Sequence, residues 1–379
     1  MTDISIPSIT LKPKEERRIL RGHLWVYRNE IAALPALQDG DVVDVFASNR
    51  RFIGRGFYQQ EGGIAVRILS HHQKDIDDRS FFHDSLVRAD SLRKKLFPGS
   101  TVYRWVYGES DTLSGLVIDR YDTVAVIQSD CVFYERHGSL LAEEVLKFDG
   151  VESVSVRFPS RKEWAGKESE KAAVLIDGVQ AHISFNDTQK TGLFLDQRNN
   201  WPLIRKYAQG ATVLDGYCYH GLWSINAALG GATSVQGVDT SPAAITHARE
   251  NCALNNLENC FFEQKDVEAK LNEGKQYDVV VLDPPAFAKN RAQIKKALAR
   301  YENINSMAMN ALPVDGILIS CSCSHFVTPE DFIEMLKRAS RKSGRQAQLL
   351  EMHGAAPDHP VLLAMPETAY LKCAVLRVF

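Results

Sequence analysis

The chain has 379 residues, of which 45% are hydrophobic and 24% charged, and its formal net charge is −2 at pH 7. This length suits two or three domains with large cores, and the composition excludes disordered and fibrous proteins. No apolar run approaches the roughly 18 residues of a membrane span, and no apolar signal region follows the first charges. We therefore expect a cytoplasmic protein without a membrane partner.

The cysteine pattern gives no sign of a disulfide framework or a metal site. The seven cysteines are odd in number and scattered along the chain. Cys321 and Cys323 are too close for C-x-x-C spacing and have no partner pair elsewhere. We expect reduced thiols and no metal.

A basic and aromatic stretch lies at residues 11–30. Phosphates attract cations and bases stack on aromatic rings, so this mixture suits RNA. The alternative is a charged surface helix with two core aromatic residues. Residues 1–74 carry 11 Lys and Arg against 8 Asp and Glu, an excess of +3. The candidates for RNA contact are Lys12, Lys14, Arg17, Arg18, Arg21 and Trp25.

Short apolar segments and turn residues divide the first half of the chain into two predicted domains. The β segments at 41–46, 52–58 and 64–69 predict a small β-barrel over residues 1–74. Residues 75–188 predict a separate small α/β domain, with a mobile charged loop at 161–171. Its predicted elements are helices at 81–96 and 138–147, a hairpin at 116–127, and strands at 151–157 and 173–176.

Strands and helices alternate regularly from residue 201 onward, which predicts a parallel sheet with helices on both faces. The first predicted strand starts at residue 211 and runs through a turn into a helix by residue 225. The others are 234–240, 260–267, 277–285 and 316–324, followed by a closing pair at 348–352 and 370–378. A closing hairpin is typical of class I methyltransferases, whereas a second βαβαβ half would suit a dehydrogenase. In such sheets, ligands bind at the carboxyl edge of the strands.

The turn after the first of these strands indicates the ligand. Tyr217, Cys218, Tyr219 and His220 fill a loop where a dinucleotide site needs glycines for the pyrophosphate. A nucleoside with an amino-acid tail fits better, and S-adenosylmethionine is the obvious candidate. Asp239 ends the second strand 24 residues after Asp215, near the spacing at which an acid binds a ribose hydroxyl. An ordinary strand-turn-helix is the alternative.

Two further acids and two thiols lie at the ends of the later strands. Asp266 ends the predicted third strand and is expected either to bind the adenine amino group or to cap the next helix. Asp283-Pro-Pro ends the fourth, where rigid backbone could hold a substrate ring. Cys321 and Cys323 end the fifth, and Cys323 is nearer the open edge. A thiolate there could add to C6 of a pyrimidine and activate C5 for methylation, although buried cysteines are often only core residues.

With these residues assembled, the chain resembles the RlmI-type family of S-adenosylmethionine-dependent large-subunit rRNA cytosine C5 methyltransferases. The resemblance covers nearly the whole chain. It includes the basic start at 17–25, GESDTLSGLVIDRY at 108–121, QKTGLFLDQR at 189–198, DPP at 283–285, SCS at 322–324, DHP at 358–360 and YLK at 370–372. The chain departs from the family pattern at Ser114, where proline is usual, and at His220-Gly221-Leu222.

The resemblance implies an α/β protein in which a PUA-like β-barrel and a small α/β domain precede a class I Rossmann-like methyltransferase domain at 189–379. It implies Cys323 as nucleophile, with Asp283 in the catalytic site. It implies cofactor contacts at Phe194, Asp196, Arg198, Tyr217, Tyr219, Gly221, Asp239, Asp266 and Asp283. The implied partner is 23S rRNA, naked or in an assembling subunit, and a homodimer is left open.

Two other functions remain compatible with the sequence. An exocyclic-amine methyltransferase would use residues 283–287 to hold the amino group of guanine or adenine, and Cys323 would then be a core residue. A non-catalytic RNA-binding assembly factor would keep the fold alone. Cofactor binding separates the assembly factor from both enzymes, and a covalent protein–RNA adduct separates the two enzymes.

Overall fold

The computed structural model describes residues 6–185, 191–288 and 290–379, which divide into two units. Unit 1 contains the described residues of Met1–Ala172, Thr188–Gly192 and Pro357–Thr368. Unit 2 contains those of Ala173–Asp187, Leu193–Ala356 and Ala369–Phe379. The chain thus passes more than once between the units.

The N-terminal part of unit 1 forms, within the described residues, a six-stranded sheet in the order β2-β6-β5-β4-β1-β3. The three β segments predicted between residues 41 and 69 are confirmed as β4, β5 and β6. Gly56 allows close pairing there, because a Cβ at this position would lie 1.9 Å from the carbonyl oxygen of Arg67. The elements are β1 (Ser8–Leu11), α1 (Glu16–Ile19), β2 (Trp25–Tyr27), β3 (Ile31–Ala33), β4 (Val42–Phe46), β5 (Phe52–Tyr58) and β6 (Ile64–Ser70).

The second part of unit 1 forms a sheet in the order β11-β10-β9-β8-β7. The predicted helices and the 116–127 hairpin are confirmed. The predicted mobile loop at 161–171 is wrong over its first half, because β11 pairs with β10 from Phe158↔Arg161 to Ser153↔Gly166. The elements are α2 (Arg79–Leu96), β7 (Val102–Tyr107), β8 (Val117–Tyr121), β9 (Val124–Gln128), α3 (Val132–Arg136), α4 (Gly138–Leu146), β10 (Ser153–Phe158) and β11 (Arg161–Gly166).

The N-terminal sheet has an apolar core of its own, but Phe57 and Leu69 from its strands belong to the core of the second sheet. Phe57 of β5 stacks on Phe133 of α3, with ring centroids 4.6 Å apart. A polar contact reinforces this packing, because Glu109 accepts hydrogen bonds from the Trp25 indole at 2.9 Å and from Arg67 at 2.7 Å. The N-terminal sheet therefore depends on the second sheet for part of its burial.

A buried ion cluster holds the Pro357–Thr368 segment within unit 1. The guanidinium of Arg93 on α2 is fully buried and donates to both carboxylate oxygens of Asp111, at 2.6 and 2.7 Å. It also donates to the carbonyl oxygen of Asp358 at 2.7 Å. The Asp358 carboxylate accepts from the backbone N–H of Arg104 and from His359. Arg93 thus connects three parts of the chain through one charge.

Replacing Arg93 by Met should lower the free energy of unfolding by about 3–5 kcal/mol, because Asp111 would keep a largely buried charge without its cation. Arg88→Met is the matched control on the same helix. Arg88 is exposed and bonds the hydroxyls of Ser85 and Thr112, so its loss should cost no more than about 0.5 kcal/mol. Urea denaturation followed by circular dichroism measures both values. Equal effects of the two substitutions would contradict the stabilising role of the buried Arg93–Asp111 ion pair.

Unit 2 contains, within the described residues, a seven-stranded sheet in the order β16-β15-β14-β17-β18-β20-β19. Its first five members are parallel, and β20 runs antiparallel to both β18 and β19, which confirms the predicted closing hairpin. The strands are β14 (Thr212–Gly216), β15 (Ser234–Asp239), β16 (Cys260–Gln264), β17 (Val279–Leu282), β18 (Gly316–Ser322), β19 (Ala347–His353) and β20 (Lys372–Val378). A hairpin precedes them: β12 (Lys171–Ile176), which begins in unit 1, and β13 (Val179–Ser184).

The helices of unit 2 connect the parallel strands. Ser241 caps α6 with Pro242 at its first position, and Thr328 caps α9. The third strand was predicted to reach Val267, which is wrong: β16 ends at Gln264, and the Asp266 side chain accepts from the backbone N–H of Ala269 to start a helix. The helices are α5 (Leu222–Leu229), α6 (Pro242–Leu254), α7 (Val267–Leu271), α8 (Ile294–Asn310) and α9 (Pro329–Ser343).

Candidate active site

The carboxyl ends of β14, β15, β17 and β18 bring the main candidate residues to one edge of the sheet. In the pairing register, Leu282 lies opposite both Gly216 and Ser320. The residues that follow these positions therefore leave the sheet side by side. They include the 217–221 loop, Asp283 and Cys323.

The 217–221 loop has an unusual backbone for its bulky residues. Tyr217 and Tyr219 have positive φ angles of 67° and 47°, and Gly221 has a φ of 79°. Gly221 is required there, because an added Cβ would lie 3.1 Å from that of Ala248. Backbone strain of this kind in non-glycine residues persists where the surroundings impose it, and it clusters at ligand sites.

The two tyrosines of the loop have different surroundings. The Tyr219 ring stacks on His220 with centroids 3.9 Å apart and lies 4.9 Å from the Phe194 ring. Tyr217 packs against the main core of unit 2. Burial lowers the pKa of His220 to about 3, with a further contribution from His247, so its imidazole is neutral at physiological pH. Phe194 and Tyr219 thus share one aromatic surface that Tyr217 does not join.

Asp215 is the second-last residue of β14 and is completely buried. One carboxylate oxygen, Oδ2, accepts from the backbone N–H and hydroxyl of Ser224 at 3.0 and 2.6 Å. The other oxygen, Oδ1, has no hydrogen-bond partner among the described residues. Burial raises the pKa of Asp215 to about 7, and the charges of Asp283 and Asp239 contribute to the rise.

Asp283 is held by two donors and lies near another acid. Its carboxylate accepts from the Gln197 amide at 2.9 Å and from the Trp223 indole at 3.1 Å. Burial raises the pKa of Asp283 to about 6, and the nearby Asp196 adds to the effect. Asp196 itself accepts a hydrogen bond of 2.6 Å from the Tyr370 hydroxyl. A carboxyl group with this pKa can carry a proton close to neutral pH.

Asp239 is a half-buried acid at the end of β15. Its carboxylate accepts from the backbone N–H groups of Tyr219 and Ser241, at 3.2 and 2.9 Å. Two other predicted cofactor contacts, Arg198 and Asp266, have partners within the protein. Arg198 is buried and makes a bidentate ion pair with Asp177, at 2.7 and 2.8 Å. Asp266 is exposed and caps α7.

Cys321 and Cys323 differ in exposure, as their positions predict. Cys321 lies within β18, is fully buried, and has its pKa raised by burial and by Cys373. Cys323 follows the strand and is half-buried. Its sulfur lies 3.8 Å from the carbonyl oxygen of Pro284, directly after Asp283. Of the two thiols, Cys323 is the one beside the Asp-Pro-Pro segment.

Sequence reasoning missed Trp223 and Lys372 as site residues. Trp223 bonds Asp283, and its position just after the Tyr217–Gly221 loop was a usable signal. Lys372 was a lysine at the start of a strand whose next four residues are apolar. Gln189 and Lys190, the first residues of the stretch that resembles the family most specifically, lie outside the described residues.

The N-terminal cations fall into two groups. Lys12, Lys14, Arg17 and Arg21 are exposed. Arg18 instead makes an ion pair with Glu30 at 2.8 Å and stacks over the Tyr27 ring, and the indole N–H of Trp25 bonds Glu109. Arg17, Arg18 and Arg21 line an open groove of about 920 Å³ whose other wall is residues 361–364.

Comparison with known proteins agrees with this geometry. Residues 9–71 match a PUA-like domain, and residues 151–373 match an S-adenosylmethionine-dependent methyltransferase family. A Streptococcus mutans structure described as a SAM-dependent methyltransferase superimposes with a TM-score of 0.87 at 18% identity, covering 98% of this chain and 100% of that one. Another methyltransferase, solved with SAH, gives 0.88 at 20% identity with the same coverage. Fold and site define an S-adenosylmethionine-dependent methyltransferase.

Sequence relatives narrow this class. A Shewanella denitrificans protein named ribosomal RNA large subunit methyltransferase I is 36% identical over 98% of this chain and 99% of its own length. One of the same name from Alteromonas mediterranea is 32% identical, with 98% of both chains covered. The chain belongs to the ribosomal RNA large subunit methyltransferase I family. None of its helices in the described ranges has the length and apolarity needed to cross a membrane.

The chemistry of the sheet edge fits S-adenosylmethionine. Asp215, Asp239 and Asp283 place three carboxylates close enough to raise the pKa of Asp215. The sulfonium and ammonium groups of the cofactor are cations, so they would relieve repulsion that the protein alone leaves uncompensated. The unpartnered oxygen of Asp215 is a buried polar atom of the kind found at ligand sites.

Asp215 should make the stability of the cofactor-free protein fall as pH rises. Its folded pKa of about 7 exceeds the ordinary 3.8, so its stabilising contribution is complete below pH 4 and is lost as pH rises to 7. Asp215→Asn removes this pH dependence. The free energy of unfolding of the variant, relative to that of the wild type, should therefore rise by about 3 kcal/mol between pH 4.5 and pH 8. Denaturant unfolding at both pH values measures the gain. A constant difference between the two proteins would contradict the raised pKa.

Proposed function

We propose that this protein transfers a methyl group from S-adenosylmethionine to C5 of a cytosine in 23S rRNA through a covalent bond to Cys323. The observation that carries the proposal is the 3.8 Å distance between the Cys323 sulfur and the Pro284 carbonyl oxygen. This distance places a half-buried thiol beside the residue that follows Asp283. Because both side chains lie at the edge of the sheet where the cofactor is expected, the arrangement supports attack of the thiolate on a base held there. The relatives' name supports large-subunit rRNA as substrate.

The residues of the chain divide the chemistry between them. The cofactor supplies an electrophilic methyl group. The Cys323 thiolate would add to C6 of cytosine, which makes C5 nucleophilic. C5 would then bond to the methyl carbon as the methyl–sulfur bond breaks, and loss of the C5 proton to a base would expel the Cys323 thiolate. Asp283, with a pKa of about 6, can donate a proton to the ring nitrogen that gains electron density during this attack. The Gln197 and Trp223 donors keep its carboxyl group in place.

The cofactor contacts follow from the same geometry. Asp239 would accept hydrogen bonds from the ribose hydroxyls, since its carboxylate is half-buried at the end of β15. Phe194 and Tyr219 would contact the cofactor through their shared aromatic surface. Asp196, which the Tyr370 hydroxyl holds in place, would face its cationic groups. Arg198 would support the cofactor site indirectly, through its ion pair with Asp177. Asp266 would support it through the backbone at the start of α7, which its side chain caps.

Cys323→Ala should abolish methylation of cytosine, because C5 of an unmodified cytosine is a very poor nucleophile, and S-adenosylmethionine affinity should be retained. Cys321→Ala is the matched control: it removes a fully buried thiol two residues away and should cost packing alone. Transfer of labelled methyl groups to rRNA, with nucleoside mass analysis, measures the product of each variant. Full activity of Cys323→Ala would contradict the proposal, and methyl groups on an exocyclic amine would identify the rival reaction.

We also propose that RNA binds along the groove between α1 and residues 361–364. Its cations are exposed, and Leu363 on the opposite wall is 95% exposed, so phosphate and base could both be contacted. Arg18 lines the groove, but its pairing with Glu30 gives it a mainly structural role. Lys12 and Lys14 extend the positive surface along the chain toward α1.

Arg17→Gln combined with Arg21→Gln should weaken RNA binding by roughly 10- to 60-fold at 0.1 M salt. The slope of log K against the logarithm of the salt concentration should also become shallower, by the equivalent of about one to two phosphate contacts. Arg341→Gln, an exposed change on α9, is the charge-matched control for a single site. Filter binding at several salt concentrations gives both quantities, and calorimetry should show unchanged cofactor affinity. An unchanged salt slope in the double variant would refute this RNA-binding surface.

A further inference from the structure

Lys372 is a buried cation at the start of β20. Its residue is 2% exposed, and its ammonium donates to the carbonyl oxygens of Ser324 and Tyr370, at 2.8 and 2.7 Å. In the antiparallel pairing, Lys372 lies opposite Ser322. The side chain therefore extends past Ser322 to the carbonyl group of Ser324, the residue that directly follows Cys323.

The ammonium has no carboxylate partner to offset its burial. Among the described residues, no Asp or Glu oxygen lies within 4.0 Å of it in an ion pair. An ammonium has three N–H donors, and two carbonyl oxygens occupy only two of them. Burying an uncompensated charge is costly, so such a cation is expected to serve a nearby anion.

The groups around Lys372 identify that anion. Burial lowers the pKa of Lys372 to about 8, while the charges of Cys323 and then Asp331 oppose the shift. Near Cys323 lie Pro284, whose oxygen is neutral, and Tyr301, whose hydroxyl bonds Ser324 at 3.0 Å. Burial raises the pKa of Tyr301, so it remains an uncharged phenol. His325 stacks on Tyr370.

We propose that Lys372 is a positioning residue that holds Cys323 as a thiolate, ready to attack the base. This inference rests on the proposed function of Cys323. The thiol proton leaves to solvent, no electrons are transferred, and the ammonium stays protonated beside the sulfur.

The test measures the ionisation of Cys323 without requiring methyl transfer. In a Cys321→Ala background, the tryptic peptide from Tyr301 to Lys337 contains Cys323 as its single cysteine. Its rate of alkylation by iodoacetamide, followed by mass spectrometry across pH, gives the thiol pKa. Lys372→Met should raise the midpoint by at least about one unit, which is a tenfold slower reaction at neutral pH.

Controls separate charge from packing. Arg377→Met removes an exposed cation from the same strand and should leave the midpoint unchanged. Lys372→Gln keeps donors for the two carbonyl oxygens without the charge, and it serves if Lys372→Met does not fold. An unchanged midpoint in a folded Lys372 variant would overturn the inference, even if Cys323→Ala is inactive. Conversely, methylation activity in Cys323→Ala would refute the proposed function. A raised alkylation midpoint in Lys372→Met would in that case still support the ion pair between Lys372 and the Cys323 thiolate.

Discussion

The site depends on the register of β17 between β14 and β18. Because Leu282 pairs with both Gly216 and Ser320, the cofactor loop, the Asp-Pro-Pro segment and the cysteine leave the sheet at one level. A shift of one residue in β17 would turn each of its side chains to the opposite face and move Asp283 away from Gln197 and Trp223. The fully buried strand Val279–Leu282 fixes this register through packing on both faces.

The same edge concentrates negative charge that the protein compensates incompletely. Ser224, Gln197 and Trp223 supply hydrogen bonds to Asp215 and Asp283, but burial still raises the pKa of both carboxyl groups. A site of this kind is less stable without its ligand and becomes more stable when cations enter it. Beside it, Lys372 contributes one buried positive charge near Cys323. Acids on one side and a cation by the thiol match the needs of a sulfonium donor and an anionic nucleophile.

The sequence predicted the parallel sheet and its carboxyl-edge residues because buried strands and helix caps leave local signals. It failed where the structure depends on distant pairing. The β11 strand lies at a sheet edge with partly exposed side chains, so the Arg161–Gly166 segment showed no apolar alternation. Lys372 meets the Cys323 region through pairing of strands that are about 50 residues apart, which no local pattern records. The domain boundaries at 74 and 188 stay predictions.

The partners of individual side chains could not be predicted from the sequence either. Arg18 and Trp25 belong to a basic, aromatic stretch that is typical of RNA contacts, but Glu30 and Glu109 bind them within unit 1. Arg17 and Arg21, which are four residues apart, remain exposed beside residues 361–364, a segment that sequence position alone would not bring there. Burial and partners, rather than residue type, separate the cations that can meet RNA from those that stabilise the fold.

Covalent trapping tests the central claim most directly. Large-subunit rRNA containing 5-fluorocytidine would be incubated with the wild-type protein and S-adenosylmethionine, then denatured and digested for mass spectrometry. Since fluorine at C5 blocks the proton loss that releases the enzyme, the account predicts a denaturation-resistant adduct that joins a methylated base to Cys323. Absence of the adduct under conditions in which ordinary rRNA is methylated, or its attachment to another residue, would contradict it.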